Sequence, residues 1–155
     1  MIRPTQPADT PALLALTAAT GVFKPHEVEA LDEVLSDFHA SNHAAGHVSV
    51  TDERHGKIVG YAYYAPAAMT DRSWYLYWIA VDKTIQAKGV GGDLLRHAED
   101  DARRHGARVF FIETSSLPNY ELTRGFYLKH GYEVTGQLRD YYADGDDMVV
   151  FRKRL

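Results

Sequence analysis

Three stretches of the chain carry residues whose types and spacing could do chemistry. The first is Gln86-Ala87-Lys88-Gly89-Val90-Gly91-Gly92, which runs into a helical pattern with Leu94, Leu95, Ala98 and Ala102 on one face. First-turn N–H groups of a helix have no intrahelical partners, and glycines there let an anion reach them at the positive end of the helix dipole. The stretch reads as a diphosphate cradle; a glycine-rich helix start without a ligand is the alternative. Its spacing fits neither common nucleotide fingerprint, because Gly92 directly follows Gly91 and Lys88 precedes Gly89 instead of following a glycine. The second stretch is the strand-like Arg108–Thr114, in which Glu113 interrupts an apolar run. A carboxylate there is costly unless it is functional or paired, for example with Arg124. The third is Arg124–Tyr132 (RGFYLKHGY), an aromatic helix that Gly131 can cap and in which Tyr127 is either reactive or a core ring beside Phe126.

The Q-x-x-G-x-G spacing after a strand ending Ile79-Ala80-Val81-Asp82 resembles motif A of the GNAT N-acetyltransferases, whose signature is R/Q-x-x-G-x-G/A. Phe126-Tyr127-Leu128-Lys129-His130-Gly131-Tyr132 resembles motif B of the same superfamily, in the expected order along the chain. The resemblance covers nearly the whole sequence and implies acetyl-CoA as cosubstrate, with direct transfer to an amine and no acyl-enzyme. It implies cofactor contacts from Ile79, Ala80, Val81, Gln86, Ala87, Lys88, Gly89, Val90, Gly91, Gly92, Asn119 and Tyr127. The pantetheine arm would add like a strand where the central strand splays at a bulge near Trp78–Val81. Tyr127 matches the tyrosine that donates to the departing sulfur, a role suited to a phenol whose ordinary pKa is near 10. Asn119 matches an asparagine that bonds the cofactor arm or a water, though a plain N-cap is equally compatible. Some relatives carry a glutamate on the central strand; Trp74–Val81 has none, so Glu113 is the nearest candidate base, with bulk water as the other proton acceptor.

The 155 residues, 45% hydrophobic, suffice for one full core, so a single domain spanning residues 1–155 is expected. Lys+Arg of 17 against Asp+Glu of 21 gives a net charge of −4, which removes the general electrostatic case for nucleic acid or an anionic membrane. The chain has no cysteine, which excludes disulfides, a thiolate metal site and a cysteine nucleophile. No segment has the ~18 apolar residues of a membrane helix, so a cytoplasmic protein is expected, with a homodimer left open. His39, His43 and His47 stand four apart, but Gly46 interrupts the pattern and no metal site is expected.

The elements that must position these residues follow from periodicity. A short strand at Ile2–Thr5 precedes a helix opened by Asp9-Thr10-Pro11, with Asp9 as a candidate N-cap. A second helix carries Val28, Leu31, Val34, Leu35 and Phe38. His47–Glu53 and Lys57–Ala65 read as a hairpin, Tyr132–Asp140 and Met148–Arg154 as another around Asp144–Asp147. On Trp74–Val81, strict alternation would put Tyr75, Tyr77, Ile79 and Val81 on one face and Trp74, Leu76, Trp78 and Ala80 on the other, both buried. The expected fold is α/β (α+β), a single GNAT-type domain with a mixed, mostly antiparallel sheet flanked by helices and splayed at the acetyl-CoA cleft. For the acceptor, Tyr61, Tyr63, Trp74, Tyr75, Tyr141 and Tyr142 with Asp140, Asp144, Asp146 and Asp147 favour a small cationic amine. A protein amine, or an acyl-CoA sensor without catalysis, are the alternatives.

Overall fold

Among the described residues seven strands join in one open sheet, in the order β1-β2-β3-β4-β5-β7-β6. In this computed structural model, which describes residues 1–85 and 88–155, the strands are β1 (Ile2–Pro4), β2 (Val48–Arg54), β3 (Lys57–Pro66), β4 (Ser73–Val81), β5 (Val109–Ser115), β6 (Glu133–Ala143) and β7 (Asp146–Arg154). All neighbours pair antiparallel except β4 and β5, which are parallel. The helices are α1 (Thr10–Ala19), α2 (Pro25–Asp37), α3 (Val90–Arg104) and α4 (Glu121–Lys129), so the chain order is the expected one. Among the described residues no helix is long and apolar enough to cross a membrane.

The sheet is covered on two sides. Leu94, Leu95, Ala98 and Ala102 of α3 pack on Ala62, Tyr64, Leu76, Phe110, Ile112 and Phe151. Leu13 and Leu16 of α1 and Leu31 and Leu35 of α2 pack on Tyr61, Tyr63 and Ala80 from the other side. Each such leucine contributes about 1.5–3 kcal/mol by leaving water. A buried polar tie adds to the α3 side: the Tyr132 hydroxyl donates to Glu99 Oε2 at 2.9 Å, and Lys153 Nζ donates to Glu99 at 2.9 and 3.0 Å and to the His130 carbonyl at 2.9 Å. Gly60 lets β3 pass under α3, since a Cβ there would lie 2.9 Å from Leu94 and 3.2 Å from Val90.

Three local expectations are corrected. Asp9 stands at the N-cap position of α1 but its side chain makes no cap bond there: the carboxylate takes two hydrogen bonds from Arg3, at 2.7 and 3.0 Å, and one from the Gln6 amide at 2.7 Å. The closing hairpin is tighter than expected, because pairing runs on to Ala143↔Asp146 and leaves only Asp144 and Gly145 in the turn. Most consequential is β4, where alternation breaks. Tyr63 pairs with Trp78 but Tyr64 pairs with Leu76, so Tyr77 is an extra, bulged residue. Tyr77 and Trp78 therefore fall on the same face: Tyr77 meets Tyr63 at 6.4 Å between ring centroids, and Trp78 packs in the α1–α2 cluster with Ala80. Beyond the bulge Ile79 and Val81 point to the α3 side, joining Trp74 and Leu76.

Candidate active site

The bulge coincides with a parting of strands. β4 and β5 pair from Ser73↔Val109 to Leu76↔Ile112 and share no rung after that. Facing backbone edges that diverge this way accept an extended molecule as an added strand. A cavity of about 1130 Å³ occupies the opening, lined by Tyr77–Val81 of β4, Glu113–Ser115 of β5, the glycine end of α3, Asn119 and Tyr127 beside α4, and the loop from Thr20 to Lys24.

One end of the cavity is built from backbone and cations. Gly89, with φ +79°, takes the left-handed conformation that opens α3, which glycine adopts without strain. The Asp93 amide bonds back to the Gly89 carbonyl at 3.0 Å, so the preceding amides of Val90, Gly91 and Gly92 form the free first turn. The Lys88 amide is already used, donating to the Ile85 carbonyl at 3.0 Å. Gln86 and Ala87 lie outside the described residues. A Cβ on Gly91 would come 3.4 Å from the Phe126 ring, and one on Gly92 would come 3.1 Å from His130 Nε2 and 3.3 Å from Arg96. Arg96, Lys129 and His130 line this end, so a polyanion would meet amides, a helix dipole and basic side chains together. Asp93, in the first helical turn, is tied to Arg54 at 2.8 Å and to Arg96.

The other end is built from side chains. Phe23 of the α1–α2 loop packs on Trp78 at 5.6 Å, and the Tyr120 hydroxyl donates to the Val22 carbonyl at 3.3 Å, holding that loop over the opening. Glu113 lines the cavity from β5 and is exposed in it. The expected alternative partner is engaged elsewhere: Arg124 Nη1 donates to the carbonyls of Ser115 and Leu117 at 2.7 and 2.9 Å. Glu113 lies among phenols. Burial first, then the Glu113 charge, raises the Tyr75 and Tyr77 hydroxyls, and the same two causes push Tyr142 up to about 12. Tyr120 is likewise pushed up to about 12, by burial and then by Glu27 and Asp146.

Tyr127 stands between the two ends. It is buried, with its ring 5.5 Å from Phe126 and 5.4 Å from Phe151, and burial raises its hydroxyl well above the ordinary phenol range, so it stays protonated at neutral pH. Asn119 lines the cavity and makes no cap hydrogen bond in the turn Pro118–Tyr120 or at the start of α4. The N-cap alternative is thereby removed.

Of the aromatic residues expected at the acceptor mouth, Tyr142 lines the cavity while Tyr75 stacks on Tyr77 just behind it. Tyr61 and Trp74 are core residues: Tyr61 shares a 2.7 Å hydrogen bond with Thr17, and Trp74 packs toward His105. Tyr63 is buried against His47, whose Nδ1 lies 2.7 Å from its hydroxyl. Asp140 and Asp147 hold the β6–β7 hairpin through amides of Gly145 and Asp140, whereas Asp146 lines the cavity. Phe23, Tyr77, Arg96 and Tyr120 were not expected in the site, and Trp78 was expected only as part of the bulge. Arg96 had a signal, since it follows Gly92 by one helical turn; the others are assembled by the bulge and the α1–α2 loop. His39, His43 and His47 line a second cavity of about 670 Å³, with Trp74 and His105.

The chain matches the model of the acetyltransferase (GNAT) family over residues 13–132. None of the curated proteins compared matches it. Among solved structures, a Desulfovibrio desulfuricans protein assigned to the GNAT acetyltransferases is 32% identical with a TM-score of 0.94, covering 99% of this chain and 98% of its own. Ribosomal-protein-alanine N-acetyltransferase from Brucella melitensis is 22% identical with a TM-score of 0.78, at coverages of 100% and 99%. An aminoglycoside 6'-N-acetyltransferase complexed with coenzyme A is 17% identical with a TM-score of 0.77, at coverages of 99% and 96%.

Proposed function

Because the chain belongs to the GNAT acetyltransferase family, we propose that residues 1–155 act as one domain that moves an acetyl group from acetyl-CoA directly to a primary amine of a small molecule. The observation that carries this reading is a single cavity that holds the glycine end of α3, the parted edge of β4, Tyr127 and Glu113 together. Amides of Gly89 to Gly92 receive the diphosphate, with Gln86, Ala87, Lys88, Arg96, Lys129 and His130 around it. Ile79, Ala80 and Val81 offer a strand edge to the pantetheine arm, and Asn119 a side-chain hydrogen bond.

Acetyl-CoA supplies an activated carbonyl; the protein supplies proton management and position. As the amine nitrogen bonds to the acetyl carbon and the carbon–sulfur bond breaks, Glu113 takes the proton that nitrogen releases, directly or through a water. Tyr127 gives its hydroxyl proton to the departing sulfur and is reprotonated from solvent or from Glu113. Exposure keeps Glu113 available as an acceptor, and burial keeps Tyr127 a donor.

Isothermal titration with acetyl-CoA, CoA, ATP and NAD, followed by thiol release across a library of amines, tests the reading. The expected result is binding of the two CoA species alone and thiol release with a subset of amines. Binding of acetyl-CoA with no thiol release on any amine would instead make the protein an acyl-CoA sensor.

A further inference from the structure

Four carboxylates of the chain are buried: Asp9, Asp52, Glu99 and Asp146. Three have a cation of their own. Asp9 is paired with Arg3 at 2.7 Å, Asp52 with Arg54 at 2.9 Å and Glu99 with Lys153 at 2.9 Å. Asp146, 5% exposed, has none among the described residues. Its Oδ1 accepts a hydrogen bond from the Ser115 hydroxyl, and no donor among the described residues reaches Oδ2. Oδ2 is not closed off, so the carboxylate faces the cavity without a cation, whereas the other three are paired.

The unpaired carboxylate lines the same cavity as Glu113. Tyr142 lies within electrostatic reach of both, and Tyr120 within reach of Asp146 and Glu27. The acceptor end thus presents two separated anionic points with phenol rings beside them, a lining that receives ammonium groups by charge and by the negative faces of the rings. Among the described residues lining this end, Lys24 and His26 are the basic ones.

We propose that the acceptor is an amine carrying a second positive charge, with its reacting nitrogen at Glu113 and its remote cation on Asp146. The inference rests on the N-acetyltransferase reading above and narrows its substrate class to diamines and related polycations. Ser115, which holds Oδ1, fixes the carboxylate's position at the junction of β5 and β7.

The test compares 1,4-diaminobutane and 1,5-diaminopentane with butylamine and pentylamine, in wild type, Asp146→Asn and Ser115→Ala, with melting temperatures confirming folded protein. Wild type is expected to prefer the diamines by about tenfold or more in kcat/KM, through KM. The preference should fall to within about threefold in Asp146→Asn, which keeps a partner for Ser115, and should persist in Ser115→Ala, which keeps the charge. Titration of each amine into CoA-saturated enzyme reads the same preference without turnover. Equal use of monoamine and diamine by wild type, or a preference that survives Asp146→Asn, overturns the proposal. Should no amine be acetylated, the N-acetyltransferase reading fails, while the titration still decides whether Asp146 holds a dication.

Discussion

The two ends of the cleft are made of different material. The α3 end presents main-chain amides bared by Gly89, Gly91 and Gly92, with basic side chains around them. The α1–α2 end presents side chains, the rings of Phe23, Tyr77, Trp78, Tyr120 and Tyr142 and the carboxylates of Glu113 and Asp146. A site made of backbone binds whatever carries the right charge and tolerates little change in shape. A site made of side chains can be rebuilt one residue at a time.

If this division holds, substitutions at the two ends separate kinetically. The largest effect is expected from Glu113→Gln, a fall in kcat of about 10²–10⁴-fold with acetyl-CoA affinity nearly unchanged. An unchanged rate at low pH, where free amine is scarce, would remove Glu113 from the mechanism. Tyr127→Phe keeps the ring against Phe126 and Phe151 and should cost between about 10- and 1,000-fold in kcat, with melting temperature preserved. A Phe variant with full kcat, beside an Ala variant that merely unfolds earlier, would make Tyr127 a packing residue.

Gly91→Ala places a methyl group between the α3 amides and Phe126, and should raise the acetyl-CoA dissociation constant about tenfold with little change in kcat. Wild-type binding by this variant would move the cradle elsewhere. Gly60→Ala touches neither ligand yet crowds Leu94 and Val90; it should destabilise the fold by about 1–3 kcal/mol, read by denaturant titration, and leave the kinetics of surviving enzyme intact.

The smallest effect is one of pH. Lys57, 2.8 Å away, and then the Thr84 amide hold the Asp82 carboxyl down at about 2, at the turn leading from β4 to the cradle. A depressed folded pKa means that this stabilisation is present above the unfolded value of about 3.9 and is lost as pH falls toward 2. Melting temperatures should therefore drop more steeply between pH 4 and 2 in wild type than in Asp82→Asn. Parallel slopes would show that the pairing contributes nothing.

What the sequence revealed follows the same division. The glycine-opened start of α3 was legible because a helix start is local: glycine spacing, the strand before it and the apolar stripe after it all lie within about twenty residues. The order of elements along the chain was legible because each carries its own period and the family resemblance implied the same order. The acceptor end was not, because one bulged residue moved everything after Tyr77 to the opposite face; the family resemblance implied a bulge near Trp78–Val81, but periodicity carries no sign of one. Tyr61 and Trp74 look like mouth residues by composition and are core by position. Arg124 looked like an ion-pair partner for Glu113, yet it closes the carbonyls ahead of α4. The helix-cap expectation for Asp9 failed because Arg3, six residues earlier, competes for the same oxygens.

The extra residue in β4 gives one strand two reading frames. Up to Leu76 the even positions serve the α3 core, and from Ile79 onward the odd positions do. A deletion at position 77 would restore strict alternation and leave Trp78 and Ala80 facing α1 and α2, but it would remove the bulge that coincides with the parting of β4 from β5. A substitution at 77 would keep it. The position therefore makes the bulge as a residue and is permissive as a side chain, so a library randomised there would change what the cavity presents while leaving the bulge intact.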